Sequence, residues 1–320
     1  AYEIPKRDWS SDVCSSDLAA HCAVSSSGLM AYVPGETQTV RRSLAVVRSD
    51  GTVIESIFTG EGLEEPRLSG DKRRIVIGLR GRHTNLWLWD FAQAPLMRLT
   101  FEGDNFAAIW TPDANALTFS SNRGGACDIF SLRPDAGGSA ELLVGSEFDK
   151  VPGSWSPDAA LLAYTEYHPE TGADLWLLDA ATGETRPLLR SRSNEYAPCF
   201  SPDGRLLAYT SDANGRPEVY VLALATPDRP RQISTDGGTE PLWLPEGATL
   251  VYRNGDRLMV VDLRGGPEQA GVPRTLFEGR FVAGTFTGLT NYDHGTQPGT
   301  FLMLTEEPPP RPQQLSVVLN

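Results

Sequence analysis

Apolar residues along this chain fall in short runs of four to six, separated by Gly, Pro, Asp, Asn and Ser, and the runs recur in a fixed order. Trp155-Ser-Pro-Asp158 is followed by Leu161-Leu-Ala-Tyr-Thr165, a polar gap, and Ala173-Asp-Leu-Trp-Leu-Leu-Asp179. Phe200-Ser-Pro-Asp-Gly204 leads in the same way to Leu206-Leu-Ala-Tyr-Thr210 and Glu218-Val-Tyr-Val221. Trp110-Thr-Pro-Asp113 and Trp243-Leu-Pro-Glu-Gly247 open two further copies, and Leu68-Ser-Gly-Asp71 and Val24-Ser-Ser-Ser-Gly28 open two that lack the proline. With the proline or its equivalent as marker, the copies sit at 26, 70, 112, 157, 202 and 245, a period of 42 to 45 residues. A period in that range with four short strands per unit is the pattern of a propeller blade.

One four-stranded meander cannot bury its own faces, whereas blades arranged radially cover one another and a closed ring leaves few exposed ends. In Ser-Pro-Asp-Gly, proline presets φ at the first corner and Asp and Gly accept the tight turn into the second strand. Trp110, Trp155, Phe200 and Trp243 recur just before that turn, so they read as wedges between blades rather than ligand platforms. A degenerate further unit runs through Asn291-Tyr-Asp293, Thr300-Phe-Leu-Met-Leu304 and Leu315-Ser-Val-Val-Leu319. The expectation is therefore an all-β, seven-bladed propeller of four-stranded antiparallel blades with an incomplete last blade, in which 315–319 lies near the strand around Val24. Six blades is the alternative count. The propeller is expected to occupy 21–320 as one domain. Residues 1–20 are set apart: Lys6 to Leu18 is polar and without period, and it resembles a translated sequencing-adapter fragment.

Charge narrows the partners. With 28 Lys and Arg against 41 Asp and Glu, the formal charge is -13, which opposes binding to nucleic acid or to anionic membranes. The basic runs Lys72-Arg-Arg74 and Arg80, Arg82 are short and read as solvated strand ends. No apolar run reaches the roughly 20 residues of a membrane span, so membrane insertion by this chain is not expected. Cys14, Cys22, Cys127 and Cys199 form no close pair, and His21, His83, His168 and His294 fall in different units without ligand spacing, so neither a metal nor another cofactor is expected. The serines of Gly153-Ser-Trp-Ser-Pro157 belong to the repeat and do not make a nucleophile elbow.

Two sets of carboxylates remain. Asp128, Asp174 and Glu218 stand just before the third strand of successive units and read as acceptors for backbone N–H groups of the preceding loop. Glu64 and Glu65, Asp104, Asp149, Glu195 and Glu240 precede the innermost strands, where linkers converge on one end of the channel. Glu65, Asp104, Asp149, Glu195 and Glu240 are the candidate site, an acidic mouth that would draw in a basic segment of a protein or peptide partner, diluted by Lys150.

The pattern at 201–221 resembles the repeat of TolB-type bacterial propellers. Ala23 to Gly35, Gln232 to Pro241, Tyr252 to Asp256 and Gln314 to Asn320 are similar to the propeller on the C-terminal side of certain bacterial serine/threonine protein kinases. That resemblance implies a sensory or protein-binding module, often outside the cytoplasm. It implies no kinase activity, because the phosphate loop, the His-Arg-Asp loop and Asp-Phe-Gly are missing from the sequence. The leading reading is a non-enzymatic binding scaffold, with the sensor of a severed receptor kinase as its finer form; a lyase or hydrolase acting at the acidic mouth is the alternative.

Overall fold

The computed structural model describes residues 41–306 except 137, 138, 246, 285 and 286, together with the short strands Cys22–Val24, Met30–Tyr32 and Ser316–Val318. The leader 1–20 lies outside the described residues. Six four-stranded antiparallel sheets form the blades. Blade 1 runs Leu63–Leu68, Arg74–Leu79, Asn85–Asp90, Gln93–Arg98, and blade 2 runs Asn105–Trp110, Leu117–Ser121, Asp128–Leu132, Glu141–Val144. Blade 3 spans 149–189, blade 4 spans 195–232 and blade 5 spans 239–278, each with the same meander order. First strands of neighbouring blades touch one another, so they are the inner strands. Helix among the described residues is confined to two 3-10 turns, Pro134–Ala136 and Pro267–Gln269.

The blade count corrects the sequence expectation of seven. Blade 6 takes its inner pair from the C-terminal unit, Tyr292–His294 and Thr300–Glu306, and its outer pair from the N-terminal unit, Arg41–Arg48 and Val53–Glu61. Seven continuous pairs, from Thr300↔Arg48 to Glu306↔Arg42, join the two halves. Two half-units counted separately in the sequence thus make one blade, and joining the two ends of the ring in one sheet leaves no gap in the ladder. Ser316–Val318 does come near the Val24 strand, but in a separate three-stranded sheet with Met30–Tyr32 between them.

Inter-blade packing follows the repeat. Trp110 and Trp243 donate their indole N–H to the carbonyls of Arg67 (3.1 Å) and Cys199 (3.0 Å) on the preceding inner strand, and Trp155 donates to Thr118 Oγ1 (3.0 Å). The turns repeat atom for atom. Ser201 Oγ donates to Asp203 Oδ1 at 2.6 Å and accepts from Leu206 N at 2.9 Å, and Ser156 does the same with Asp158 and Leu161. Ser69 keeps the pattern with Asp71 and Arg74 although Gly70 replaces the proline.

Every inner strand from blade 1 to blade 5 carries a bulge. In four of them a non-glycine residue adopts positive φ: Glu65 (49°), Ala107 (56°), Ala197 (55°) and Glu240 (56°). Bulges raise local twist and release one backbone N–H from the ladder. Near the axis that N–H must find a partner elsewhere.

Candidate functional site at the linker end of the ring

The ring axis is filled at this end. Ala107, Val151 and Ala197 pack with Phe106, Cys127 and Leu289 in one apolar cluster, edged by Tyr167 and Tyr196. Leu289 comes from the connection between blades 5 and 6, which runs in to the axis before Tyr292–His294 begins. Gly288 there has φ 71°, and a Cβ on it would meet the Tyr196 ring at 2.3 Å, so the close approach needs glycine.

Glu65 and Glu240 hold this connection. Glu65 is 5% exposed; its Oε2 accepts the bulge N–H of Ala107 at 2.7 Å, its Oε1 accepts from Thr287 Oγ1, and its own N–H donates to Asn291 Oδ1 at 2.8 Å. Glu240 accepts from Gly284 N at 2.8 Å and Asn291 N at 2.9 Å, while its carbonyl accepts from Tyr292 Oη at 2.6 Å. Arg253 Nε lies 3.3 Å from Glu240 Oε1, with both side chains buried.

The other three candidates lie in other contacts. Asp104 Oδ1 accepts Thr84 N at 2.8 Å and Oδ2 accepts Asn122 Nδ2 at 3.1 Å, and His83 Nδ1 stands 3.5 Å away. Asp149 Oδ1 accepts Cys127 N at 2.7 Å. Glu195 is buried between blades 3 and 4; Ser191 Oγ donates to Oε1 at 2.8 Å, and Oε2 is enclosed without a protein donor. Burial is the main reason its carboxyl is pushed up to about 7, with Asp174 and Asp212 adding like charge. The structure therefore brings Glu65 and Glu240 together on Asn291, leaves Asp104 and Asp149 on the half-exposed rim, and sets Glu195 inside an interface. These side chains bond their own neighbours and do not stand out as one exposed collar.

Lys150 is fully buried, donating to Asp128 Oδ1 (3.1 Å) and to the Phe148 carbonyl. Asp128 also accepts Ser146 N (3.1 Å), and Glu218 accepts Gly237 N (3.0 Å) and Arg216 Nε (2.7 Å). These backbone donors belong to the linker that follows the blade, whereas the sequence reading placed them in the loop before the strand. Asp174 does bond its preceding loop, through Thr171 Oγ1 at 2.5 Å. Burial pushes the Cys199 thiol up to about 11, away from reactivity. Among the described residues no three His, Cys, Asp or Glu side chains are grouped to hold a metal, and no helix is long and apolar enough to cross a membrane.

Residues 135–266 match the family model of the TolB beta propeller domain. Among solved structures, the putative TolB from Agrobacterium tumefaciens is similar over 84% of this chain and 99% of its own, with a TM-score of 0.67 at 19% identity. In fold, the protein is a β-propeller similar to that of TolB. TolB from Acinetobacter baumannii is similar over 77% of this chain and 68% of its own, with a TM-score of 0.52 at 15% identity. The tricorn protease is similar over 83% of this chain and 27% of its own, with a TM-score of 0.56 at 13% identity. No curated protein matches the chain in sequence. Likeness to kinase-attached propellers rests on the sequence segments alone. In this propeller the inserted connection before Tyr292 was the feature that sequence reading missed. Its signal was present as the poor match of 279–291 to the repeat.

Proposed function

We propose that this propeller is a non-enzymatic scaffold that engages a protein or peptide partner at the linker end of its ring. The observation that carries this reading is the use made of the ionisable groups there. Acid–base or nucleophilic work requires a group within hydrogen-bond reach of a substrate, and Glu65 and Glu240 are turned onto backbone N–H groups of the chain itself. Fold likeness reaches both TolB proteins and a protease, so the fold does not select the chemistry and the site has to. The finer role, sensor of a bacterial receptor kinase, draws its support from the segments 232–241 and 252–256, and sequencing the source gene across residues 1–22 tests it.

The scaffold reading is tested on one purified preparation by two measurements: selection of displayed peptides for saturable binding, and screening for turnover of sugar polymers and peptides. Saturable binding without turnover is expected. Turnover that survives purification to homogeneity and vanishes in Glu195→Gln, with the melting temperature retained, replaces the scaffold by an enzyme.

A further inference from the structure

Neighbouring blades are clasped at a repeated point near the linker end. A backbone N–H at the start of the third strand donates to a side chain at the start of the next inner strand: Thr84 N to Asp104 at 2.8 Å, Cys127 N to Asp149 at 2.7 Å and Ala173 N to Asn194 at 3.1 Å. The residues that follow these on each side differ in charge. Between blades 1 and 2 they are Asn85 and Asn105, two neutral amides. Between blades 2 and 3 they are Asp128 and Lys150, whose ammonium lies 3.1 Å from Asp128 Oδ1. Between blades 3 and 4 they are Asp174 and Glu195, two acids, both buried. Each acid has one oxygen in use and one bare. Asp174 Oδ2 accepts from Thr171 Oγ1 at 2.5 Å and lies 3.6 Å from Arg190 Nε, while Oδ1 is enclosed with no donor. Glu195 Oε1 accepts from Ser191 Oγ at 2.8 Å, while Oε2 is enclosed with no donor. Asp174 is near enough to oppose ionisation of Glu195.

We propose that the interface of blades 3 and 4 binds a calcium ion between Asp174 Oδ1 and Glu195 Oε2, in the role that the Lys150 ammonium has one interface earlier. An uncompensated buried charge is costly, and here two acids of like sign meet with no ammonium between them. Arg190 meets only the oxygen of Asp174 that Thr171 already serves, and its side chain is 45% exposed. Lys150 is committed to Asp128. The other acids nearby add to the negative charge: Glu166 stands opposite Asp174 in its ladder, and Asp212 is bonded to Asn194. The donor set is oxygen alone, which selects a hard cation. Ser211, opposite Glu195 in the ladder, adds a hydroxyl, and the Ser193 carbonyl is the counterpart of the Phe148 carbonyl that Lys150 also meets. Calcium accepts about six to eight oxygens in irregular geometry, whereas magnesium demands a near-ideal octahedron and keeps its waters. Only two acids take part, and they lie on different blades, so neither ligand spacing in the sequence nor a trio of metal-binding side chains marks the site.

The test uses the full chain, stripped with a chelator and exchanged into physiological sodium chloride at pH 8, above the value of about 7 to which burial pushes Glu195. Calcium chloride is titrated in by calorimetry, and melting temperatures are read with calcium, with magnesium and with neither. One calcium per chain is expected, with a melting temperature raised by about 4 °C once free calcium is about 100 times Kd. Glu195→Gln keeps the shape of the side chain, which separates loss of binding from loss of fold. Its calcium affinity is expected to fall at least about 10-fold, because ligand charge sets calcium affinity. Glu195→Lys restores the pairing of Asp128 with Lys150 at this interface and is expected to melt above the calcium-free parent and to show no response to calcium. Absence of saturable calcium binding, unchanged affinity in both variants, or an equal rise in melting temperature with magnesium overturns the site. None of these outcomes bears on whether a partner docks at the linker end.

Discussion

Replacing Glu240 by Gln keeps the shape of the side chain and removes the charge on which three partners depend. Its two oxygens accept Gly284 N and Asn291 N, and Arg253, 2% exposed, lies beside Oε1. The arginine is close enough for charge pairing but is not aligned as a hydrogen bond to Nε. A glutamine offers one acceptor oxygen, so its amide group faces one of the two backbone donors and leaves that N–H unsatisfied, at about 1–3 kcal/mol. Arg253 is meanwhile left as a buried charge whose remaining contacts are the Val282 carbonyl (3.3 Å) and the Tyr292 ring (5.4 Å). Breaking a buried pair on one side costs about 3–5 kcal/mol. The two penalties share the same side chain and do not add, so the expected loss is about 4 kcal/mol. Urea unfolding at pH 7 measures it, and hydrogen exchange at Gly284 and Asn291 shows whether the loss is local to the inserted connection. Adding Arg253→Met removes the orphan charge and is expected to recover about half. A loss below about 1 kcal/mol, or strict additivity of the two substitutions, refutes the assignment of Glu240 as the anchor.

Two further predictions concern the turns and the blade interface. Ala159 is exposed at φ 58°, where the equivalent turn of blade 4 has Gly204 at 70°; Ala159→Gly relieves about 1–2 kcal/mol of left-handed strain against about 0.4–1 kcal/mol of added unfolded-chain entropy. A melting temperature raised by about 1–3 °C is expected, whereas Gly204→Ala, whose Cβ would stand 3.2 Å from Pro157 Cδ, lowers it; a fall in the Ala159 variant contradicts the reading. Glu195 titrates near 7 in the folded protein against an ordinary 4.5, so the folded state holds the extra proton and stability falls as pH rises from about 4.5 to 7, by on the order of 3 kcal/mol. Glu195→Gln should flatten that limb in thermal melts from pH 5 to 8, and identical slopes in both proteins would show that Glu195 is not its source.

The repeat was legible because its turns are written locally. Ser201 and Asp203 bond within five residues of chain, and so do Ser156 and Asp158, so the same letters give the same structure in each blade. Blade 6 was not legible in the same way. Its halves lie at 41–61 and 292–306, and although the C-terminal unit reads as incomplete, nothing local in it says that the missing strands come from 41–61. The carboxylates were misread for a related reason: before an inner strand, a Glu exposed to solvent and a Glu bonded across to the next blade look alike in sequence. Proline following Glu65, Ala197 and Glu240 even argues against the backbone they adopt, since the residue before proline is biased toward extended conformations, yet all three have positive φ.

What distinguishes the carboxylates is their place in the ring. Glu65, Ala107, Ala197 and Glu240 share one register, three residues before Leu68, Trp110, Phe200 and Trp243. Ala107 and Ala197, in blades 2 and 4, pack at the axis. The two glutamates belong to blades 1 and 5, the neighbours of blade 6, whose inner strand is reduced to Tyr292–His294. Where a full inner strand would satisfy its backbone through a ladder, the connection ahead of Tyr292 has no ladder to join. Glu65 and Glu240 supply the acceptors from either side, taking the Thr287 hydroxyl and the N–H groups of Gly284 and Asn291. Acidic side chains at this register are thus explained by the shortened strand between them, a compensation that becomes visible once the ring has brought the two ends of the chain together.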